Sequence, residues 1–510
     1  MRLNSETAEK FHPKKIAVDT IYNLLGLLSP LLFAVFLLPF IISSLGNEKF
    51  GLLSLCWVFI GYFSLFDFGI GRALTKVVSE KIATKHHENI AGIFWTSMLL
   101  IFSISVIGSV VVWLLNKFLV FQLFNISARY TQEASKTFYL LAIAIPIVTT
   151  NSALRGFLEA YHEFGKINVL RSFLGILMFL GPVITLFFSD KLYVIVFVLI
   201  CIRIIFWTIY LLFCFKRFPA LIQSFRTDKK SISYLLRLSS WMTVSNFISP
   251  LMTYLDRFLI ATIISVTAVT FYSTPYEVIT RFLVFATGIC GVLFPSFSAS
   301  FVDNKDISRK MYLKGVKYIS LLLFPIIFIS ILYASQGLNI WLGKDFAIKS
   351  GLILQLIAFG VFFNSIAQIP FTFLQGIGKP DITAKIHLIE LPLYMVAIFL
   401  ALKNYGINGA AAVWSLRVVL DAILLFIMSL PFLGIGRKIL TKLVLSELLL
   451  SSILCVSFFI KVLELKIIFS IIILTVFILL TWKVLIDQNE KNLLKDIING
   501  INPSINLNSK

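Results

Sequence analysis

Long apolar segments, separated by short polar loops, follow one another along almost the whole of this 510-residue chain. A helix of about twenty apolar residues crosses the ~30 Å hydrocarbon core of a bilayer. In lipid every backbone polar group needs a partner inside the protein, so such segments fold as transmembrane helices. The segments lie near 16–45, 50–72, 90–116, 134–157, 167–189, 191–215, 232–264, 268–300, 314–335, 350–376, 383–403, 407–430, 439–462 and 466–487. The sequence therefore predicts an all-α polytopic membrane protein with about fourteen transmembrane helices.

The composition agrees with lipid as the solvent of this chain. Its residues are 58% hydrophobic and 14% charged, whereas an ordinary soluble domain is about a quarter charged. The glycine-lysine pairs at Gly165 and Gly343 are not followed by the Ser or Thr of a phosphate-binding ATPase loop. The five cysteines and five histidines show no metal-ligand spacing. We therefore expect no cofactor and no metal, and any work that this chain performs would have to draw on an ion gradient rather than on ATP.

The formal net charge of +20 has a topological explanation. Once helices are assigned to the apolar segments, one set of alternate loops holds 31 Lys and Arg and the opposite set holds 10. Basic residues accumulate on the cytoplasmic side of a membrane protein. An even number of spans then places both termini in the cytoplasm. Because orientation accounts for the basic residues, no nucleic-acid partner is expected.

The two halves of the chain are related at an offset of about 220 residues. A stripe of Asp19, Asn23, Gly26 and Pro30 on the first segment corresponds to a second stripe on the seventh. The second stripe consists of Ser239, Thr243, Asn246 and Pro250. The sequence thus predicts two pseudo-symmetric six-helix lobes, 1–220 and 221–430, followed by a helix pair and a cytoplasmic tail in 431–510. An even number of helices in each lobe makes this a parallel repeat.

Several segments of the chain resemble the polysaccharide-exporter family of the multidrug/oligosaccharidyl-lipid/polysaccharide superfamily. They are YLDRFLIATIIS from Tyr254, FYSTPYEVITRF from Phe271, FLQGIGKPDITAKIHL from Phe373 and YGINGAAAVWSLRVVLD from Tyr405. The resemblance covers nearly the whole chain. It implies two six-helix lobes plus two helices, and an activity that moves undecaprenyl-diphosphate-linked oligosaccharides, such as O-antigen units, across the bacterial inner membrane.

Charged residues lie deep inside the predicted spans, where each costs at least ~2.5 kcal/mol. Glu277 and Arg281 are four residues apart with the acid first, so they can pair along one helix face. Arg417 and Asp421 can pair in the reverse order. The neighbours in sequence Asp256 and Arg257 point about 100° apart, so each needs a partner elsewhere. One reading makes these charges structural ion pairs between helices, and the other places them in a water-filled cavity.

The functional reading gives the charges two roles. A lipid diphosphate suits the planar, bidentate guanidinium group, so Arg203, Arg257, Arg281 and Arg417 are candidates for binding the anionic head group. The carboxylates of Asp256, Glu277 and Glu390 are candidates for carrying a coupling proton or sodium ion. No catalytic residue is expected.

Together these expectations describe a flippase for polyprenyl-diphosphate-linked oligosaccharide in the bacterial cytoplasmic membrane. It would work by alternating access and associate with other glycan-assembly membrane proteins. One alternative is a cation-coupled multidrug exporter of the same superfamily, whose cavity should be dominated by acids. A second is a membrane enzyme of glycan assembly, which usually needs a large catalytic loop that this chain lacks.

Overall fold

The computed structural model describes the backbone of residues 13–63, 69–83, 89–161, 163–223, 225, 227, 251–252, 254–303, 305–485, 488 and 491. In these ranges the regular structure is helical and no strand occurs. The predicted all-α fold class is therefore confirmed.

Six helices form an N-terminal group. They are α1 Pro13–Phe63, α2 Ile70–Ala83, α3 Ile90–Phe118, α4 Ala128–Ala160, α5 Phe164–Leu186 and α6 Leu192–Arg217. Within the group α4 packs against α3 and α6, and α1 packs against α5. A short helix, Ala220–Gln223, follows at the predicted boundary between the lobes.

The helices after this boundary form a C-terminal group and a final pair. The group contains α7 (254–263), α8 Val266–Ile279, α9 Leu283–Asp303, α10 Lys305–Leu332, α11 Ala334–Leu342, α12 Lys344–Gly376 and α13 Pro380–Leu433. The pair consists of α14 Arg437–Ser457 and α15 Leu463–Leu480, and both helices pack against α10. Ser239, Thr243, Asn246 and Pro250 of the predicted repeat lie outside the described residues, and the division into lobes stays a prediction.

Two glycines divide the longest helices. Gly46 in α1 has φ +74° and Gly406 in α13 has φ +61°. Side chains rarely adopt this left-handed backbone, whereas glycine enters it without a steric penalty. The breaks coincide with the loops predicted after residues 45 and 403. In the described part of the chain ten helices are long and apolar enough to cross a membrane, and two of them contain these breaks. The total of fourteen spans stays a prediction.

Two helices contain prolines whose freed carbonyls accept hydrogen bonds from serines. A proline lacks the N–H that would bond to the carbonyl four residues earlier. Opposite Pro275 in α8, the Ser350 hydroxyl donates to Phe271 O at 2.7 Å. Opposite Pro146 in α4, the Ser109 hydroxyl donates to the Ala142 carbonyl at 2.5 Å. Each serine belongs to a neighbouring helix, so these hydrogen bonds also join the helices. A turn at Thr280–Phe282 interrupts the helix predicted over 268–300.

The outer surface of the helices is strongly apolar. Large side chains such as Phe188, Ile389 and Phe36 are 86%, 66% and 76% exposed. A soluble monomer rarely exposes apolar patches of this extent, whereas lipid tails solvate them. The surface is therefore that of a multi-pass membrane protein.

The N-terminal and C-terminal groups meet along α1 and α8. At one end of this contact, Asn125 donates its backbone N–H to Ala261 O at 3.0 Å and its side-chain amide to Ile264 O at 2.9 Å. Thr270 Oγ1 donates to Asn47 O at 2.5 Å beside it. We call this contact the junction. It joins the groups at the end of the molecule that carries the Gly46 break.

Candidate functional site

A cavity of about 510 Å³ lies between the N-terminal and C-terminal helix groups. Its described walls come from α1, α4, α5, α6, α7 and α8. The charged side chains among the described lining residues are four arginines and one glutamate: Arg155, Arg171, Arg203, Arg281 and Glu277. We refer to it as the central cavity. Cations outnumber anions in its walls, and ligand pockets of proteins commonly have volumes of ~300–1,000 Å³.

The arginines of the N-terminal group stand at different depths in the central cavity. At a rise of ~1.5 Å per residue, Arg155 lies roughly 8 Å from the end of α4 at Ala160, and Arg171 roughly 10 Å from the start of α5. Arg203 lies roughly 21 Å from the end of α6. These three helix ends are on the same side of the molecule, opposite the junction. The guanidinium groups therefore extend from one face toward the middle of the membrane.

Two of the cavity arginines have a nitrogen atom without a hydrogen-bond partner among the described residues. The Nε atoms of Arg155 and Arg203 are buried, and neither has a hydrogen-bond partner in the described part of the chain. A buried donor without a partner costs about 1–3 kcal/mol. An anion in the cavity would compensate the charge of these guanidinium groups.

Glu277 joins the cavity to a buried arginine. Its Oε1 accepts from Arg257 Nη2 at 2.9 Å, and its Oε2 accepts from Arg281 Nη2 at 3.2 Å. Arg257 is 1% exposed and its guanidinium lies 4.3 Å from the centre of the Tyr276 ring. Arg281, with 42% of its side chain exposed, reaches into the cavity. Glu277 therefore holds one arginine in the wall and one at its surface.

Asp256 is fully buried beside this cluster. Its Oδ2 accepts from the Tyr272 hydroxyl at 2.5 Å, and its Oδ1 accepts from the Arg257 backbone N–H at 2.8 Å. Both oxygens are thus occupied within the protein. This geometry stabilises the orientation of α7 against α8, and the described lining of the central cavity does not contain Asp256.

A second charged cluster connects the two halves of α13. Ligand atoms of His387, Glu390 and Asp421 all lie within 4.8 Å of one another, and His387 Nε2 is 3.5 Å from Asp421 Oδ1. Arg417 Nη1 is 3.9 Å from Glu390 Oε2. Glu390 is 7% exposed, and neither of its carboxylate oxygens accepts a hydrogen bond from a described residue. The cluster has the donors that attract a cation or a proton.

The structure separates the four predicted anion-binding arginines. Arg203 and Arg281 line the central cavity, Arg257 lies behind Glu277, and Arg417 belongs to the cluster in α13. The spacing of Arg417 and Asp421 would allow them to pair with each other, whereas in the structure Arg417 approaches Glu390 and Asp421 approaches His387. The reason is that α13 folds back at Gly406, which brings a second helix segment within reach.

Sequence reasoning missed two arginines of the cavity. Arg155 and Arg171 were not among the four arginines that the sequence singled out for binding the anionic head group. Their signal was nonetheless available, because both positions fall inside the predicted spans 134–157 and 167–189. Which face of each helix meets the other group could be decided only from the packing.

The sequence of this chain is similar to known proteins of polysaccharide biosynthesis. A family model described as "Polysaccharide biosynthesis protein" matches residues 16–301, more than half of the chain. The chain belongs to this family. It is also 34% identical over 411 residues to a Shigella flexneri protein named "Putative O-antigen transporter", with 80% of this chain and 96% of that protein covered.

Solved structures share the fold of this family member. A multidrug resistance MATE family transporter of the MOP superfamily, in its inward-facing conformation, matches with a TM-score of 0.67 and 13% identity. That match covers 81% of this chain and 98% of the transporter. The lipid II flippase MurJ, in an inward closed conformation, matches with a TM-score of 0.66 and 15% identity over 92% of this chain and 99% of MurJ.

Proposed function

We propose that this protein is a flippase for undecaprenyl-diphosphate-linked oligosaccharide, an O-antigen or similar surface-glycan repeat unit. It would act in the bacterial cytoplasmic membrane with both termini in the cytoplasm. The observation that carries the proposal is the central cavity, in whose described walls four arginines face one glutamate. Family membership and the O-antigen transporter relative support the same substrate class.

The charge of the cavity suits a diphosphate. A diphosphate offers several acceptor oxygens and more than one negative charge, and guanidinium groups bind such oxygens in pairs. In the low-dielectric surroundings of a membrane protein these contacts are stronger than in water. The hydrophilic head would pass through the cavity while the polyprenyl tail stays in lipid. The graded depth of Arg155, Arg171 and Arg203 provides successive positions for the phosphates.

The junction supports alternating access. It joins the two helix groups at one end through Asn125, Thr270 and their carbonyl partners, and the central cavity lies on the other side of it. With both termini cytoplasmic, the joined end is the outer one. The structure would then represent a state that is closed to the outside, and transport would require these hydrogen bonds to break.

The cluster in α13 is our candidate for ion coupling. Of the three acids considered from the sequence, Glu390 is the one whose oxygens lack hydrogen-bond partners among the described residues. Asp256 is engaged by Tyr272, and Glu277 by two arginines. A proton or sodium ion that binds between Glu390 and Asp421 would neutralise one carboxylate. The electrostatic attraction between the carboxylates and Arg417 would then weaken.

A drug exporter of the same fold is the alternative. Cationic drugs require a cavity rich in acids, whereas the charged groups described here are mostly arginines. A positively charged substrate would be repelled from such walls. The membrane-enzyme alternative is opposed by the transporters found among its relatives.

Complementation of a strain that lacks its surface-glycan flippase tests the proposal. We expect Arg203→Ala and Arg281→Ala to abolish surface glycan while the protein still reaches the membrane. Arg129→Ala is the matched control, because Arg129 is exposed and lies outside the cavity. Full glycan export by both cavity variants would overturn the proposal.

A further inference from the structure

Pro39 frees a further backbone carbonyl, and the donor that it meets comes from the other helix group. Pro39 lies inside α1, so the Val35 carbonyl four residues earlier loses its partner in the helix. Trp341 Nε1 donates to Val35 O at 2.5 Å. Trp341 belongs to α11 of the C-terminal group. The serines opposite Pro275 and Pro146 each lie in the same group as their proline, whereas this hydrogen bond joins the two groups.

The hydrogen bond between Trp341 and Val35 lies on the same side of the molecule as the junction. Only Gly343 separates α11 from α12, and the two helices pack against each other. In the first turn of α12, the ring centroid of Phe346 lies 4.8 Å from that of Phe271. Phe271 is next in sequence to Thr270 of the junction. α11 is therefore held beside the junction, and from there Trp341 reaches α1.

This hydrogen bond can favour the closed contact without locking it. One intramolecular hydrogen bond shifts an equilibrium by about two- to tenfold. When the groups separate, water that enters the gap can hydrate both the Trp341 N–H and the Val35 carbonyl, so neither atom stays unsatisfied. The arrangement depends on Pro39, because an alanine at this position would donate its own N–H to the Val35 carbonyl within the helix.

We infer that Pro39 and Trp341 form a latch between the two helix groups. Pro39 leaves the Val35 carbonyl free on α1, and Trp341 binds this carbonyl only while the outer contact is closed. The inference rests on the orientation and the alternating access of the proposed function. It adds a determinant of the balance between closed and open states that lies outside the central cavity and shares no atom with the junction.

Cysteine labelling from the two sides of the membrane tests the latch. Ser152→Cys, in the wall of the central cavity, is introduced into the full-length protein from which the native cysteines have been removed. An impermeant maleimide is added to right-side-out and to inside-out vesicles. We expect Pro39→Ala and Trp341→Phe each to raise the rate of labelling from the outside about two- to tenfold, as for the loss of one hydrogen bond.

A variant that carries both substitutions distinguishes one shared hydrogen bond from two separate effects. If Pro39→Ala and Trp341→Phe remove the same bond, the double variant should be labelled no faster than either single variant, whereas independent effects multiply. Pro146→Ala and Trp113→Phe are the matched controls. The hydrogen bond opposite Pro146 stays within the N-terminal group, and Trp113 is 52% exposed on α3. Both controls should be labelled at the rate of the parent protein.

The outcomes separate the latch from the proposed function. Parent rates from both sides in the single variants would overturn the latch, and so would effects that multiply in the double variant. A faster rate from the cytoplasmic side alone would keep the latch and overturn the proposed orientation. Labelling needs no glycan, so the result for the latch holds whichever lipid the protein moves. The substitutions lie in different helices, and either single variant that reaches the membrane suffices to compare rates.

Discussion

Arg257 Nη2 lies 2.9 Å from Glu277 Oε1 and ties α7 to α8 directly behind the wall of the central cavity. The two partners differ sharply in environment, because Arg257 is almost fully buried whereas 35% of the Glu277 side chain is exposed. The ion pair therefore connects a carboxylate on the cavity wall to a guanidinium group in the packed interior of the C-terminal group.

Glu277→Gln should destabilise the protein strongly. It leaves the buried Arg257 without the carboxylate that pairs with its Nη2. Breaking a fully buried ion pair costs about 3–5 kcal/mol, and the 35% exposure of Glu277 lowers the expected loss below that range. Arg281→Ala removes a half-exposed partner of the same glutamate and should cost about 0.2–1 kcal/mol. Thermal unfolding of both variants in detergent measures the difference. Equal losses of stability in the two variants would show that the ion pair between Arg257 and Glu277 contributes no more than the pair between Glu277 and Arg281.

Gly51→Ala should open the junction. A Cβ atom at Gly51 would overlap Val266 O and lie 2.9 Å from Thr270 Oγ1, so α1 and α8 would have to separate. In a variant without the native cysteines, of which Cys455 is exposed, we expect Ser152→Cys in the cavity wall to react faster with an impermeant maleimide added outside when Gly51→Ala is present. Gly108→Ala is the matched control, because no atom lies within 4 Å of its Cβ position. Unchanged labelling in Gly51→Ala would contradict the assignment of this contact as the outer closure.

A charge network beside the junction should make stability depend on pH. The Lys49 side chain donates to Asp190 Oδ2 at 2.9 Å, and this hydrogen bond holds the pKa of Asp190 below its ordinary value. A lowered pKa in the folded state stabilises the protein above the pKa of the unfolded chain, ~3.9. That contribution is lost as the pH falls through the folded pKa.

Asp190→Asn tests this network. Because Asp190 is largely exposed, we expect a loss of only about 0.2–1 kcal/mol at neutral pH. The difference from wild type should vanish in acid, once Asp190 is protonated in the wild-type protein. Melting temperatures measured across the acid range check the prediction, and a difference that persists at the lowest pH would count against it.

Much of the fold could be predicted from the sequence because lipid imposes a simple rule on the chain. Apolar length located the long helices of the described residues, and the breaks at Gly46 and Gly406 were expected from short polar interruptions. It missed α2 and α11, which lie mostly where loops were predicted. The pair of Glu277 and Arg281 followed from helical spacing and is present at 3.2 Å. These features depend only on residues close together in the chain.

The site could be predicted only in part, because its geometry depends on contacts between distant helices. Sequence spacing could not reveal that Tyr272 and Glu277 are the partners of Asp256 and Arg257. It could not show that Arg155 faces the same cavity as Arg203 either, since the rotation of each helix is fixed by packing.

Flipping in proteoliposomes tests the central claim most directly. The purified protein is reconstituted with a fluorescent polyprenyl-diphosphate-linked oligosaccharide, and the fraction protected from an external quencher is followed in time. We predict that wild-type protein and Arg129→Ala equilibrate the lipid between leaflets. Arg155→Ala and Arg203→Ala should each slow this exchange about tenfold or more, as expected for the loss of a charge-assisted hydrogen bond. Exchange at the wild-type rate in both cavity variants would contradict the account.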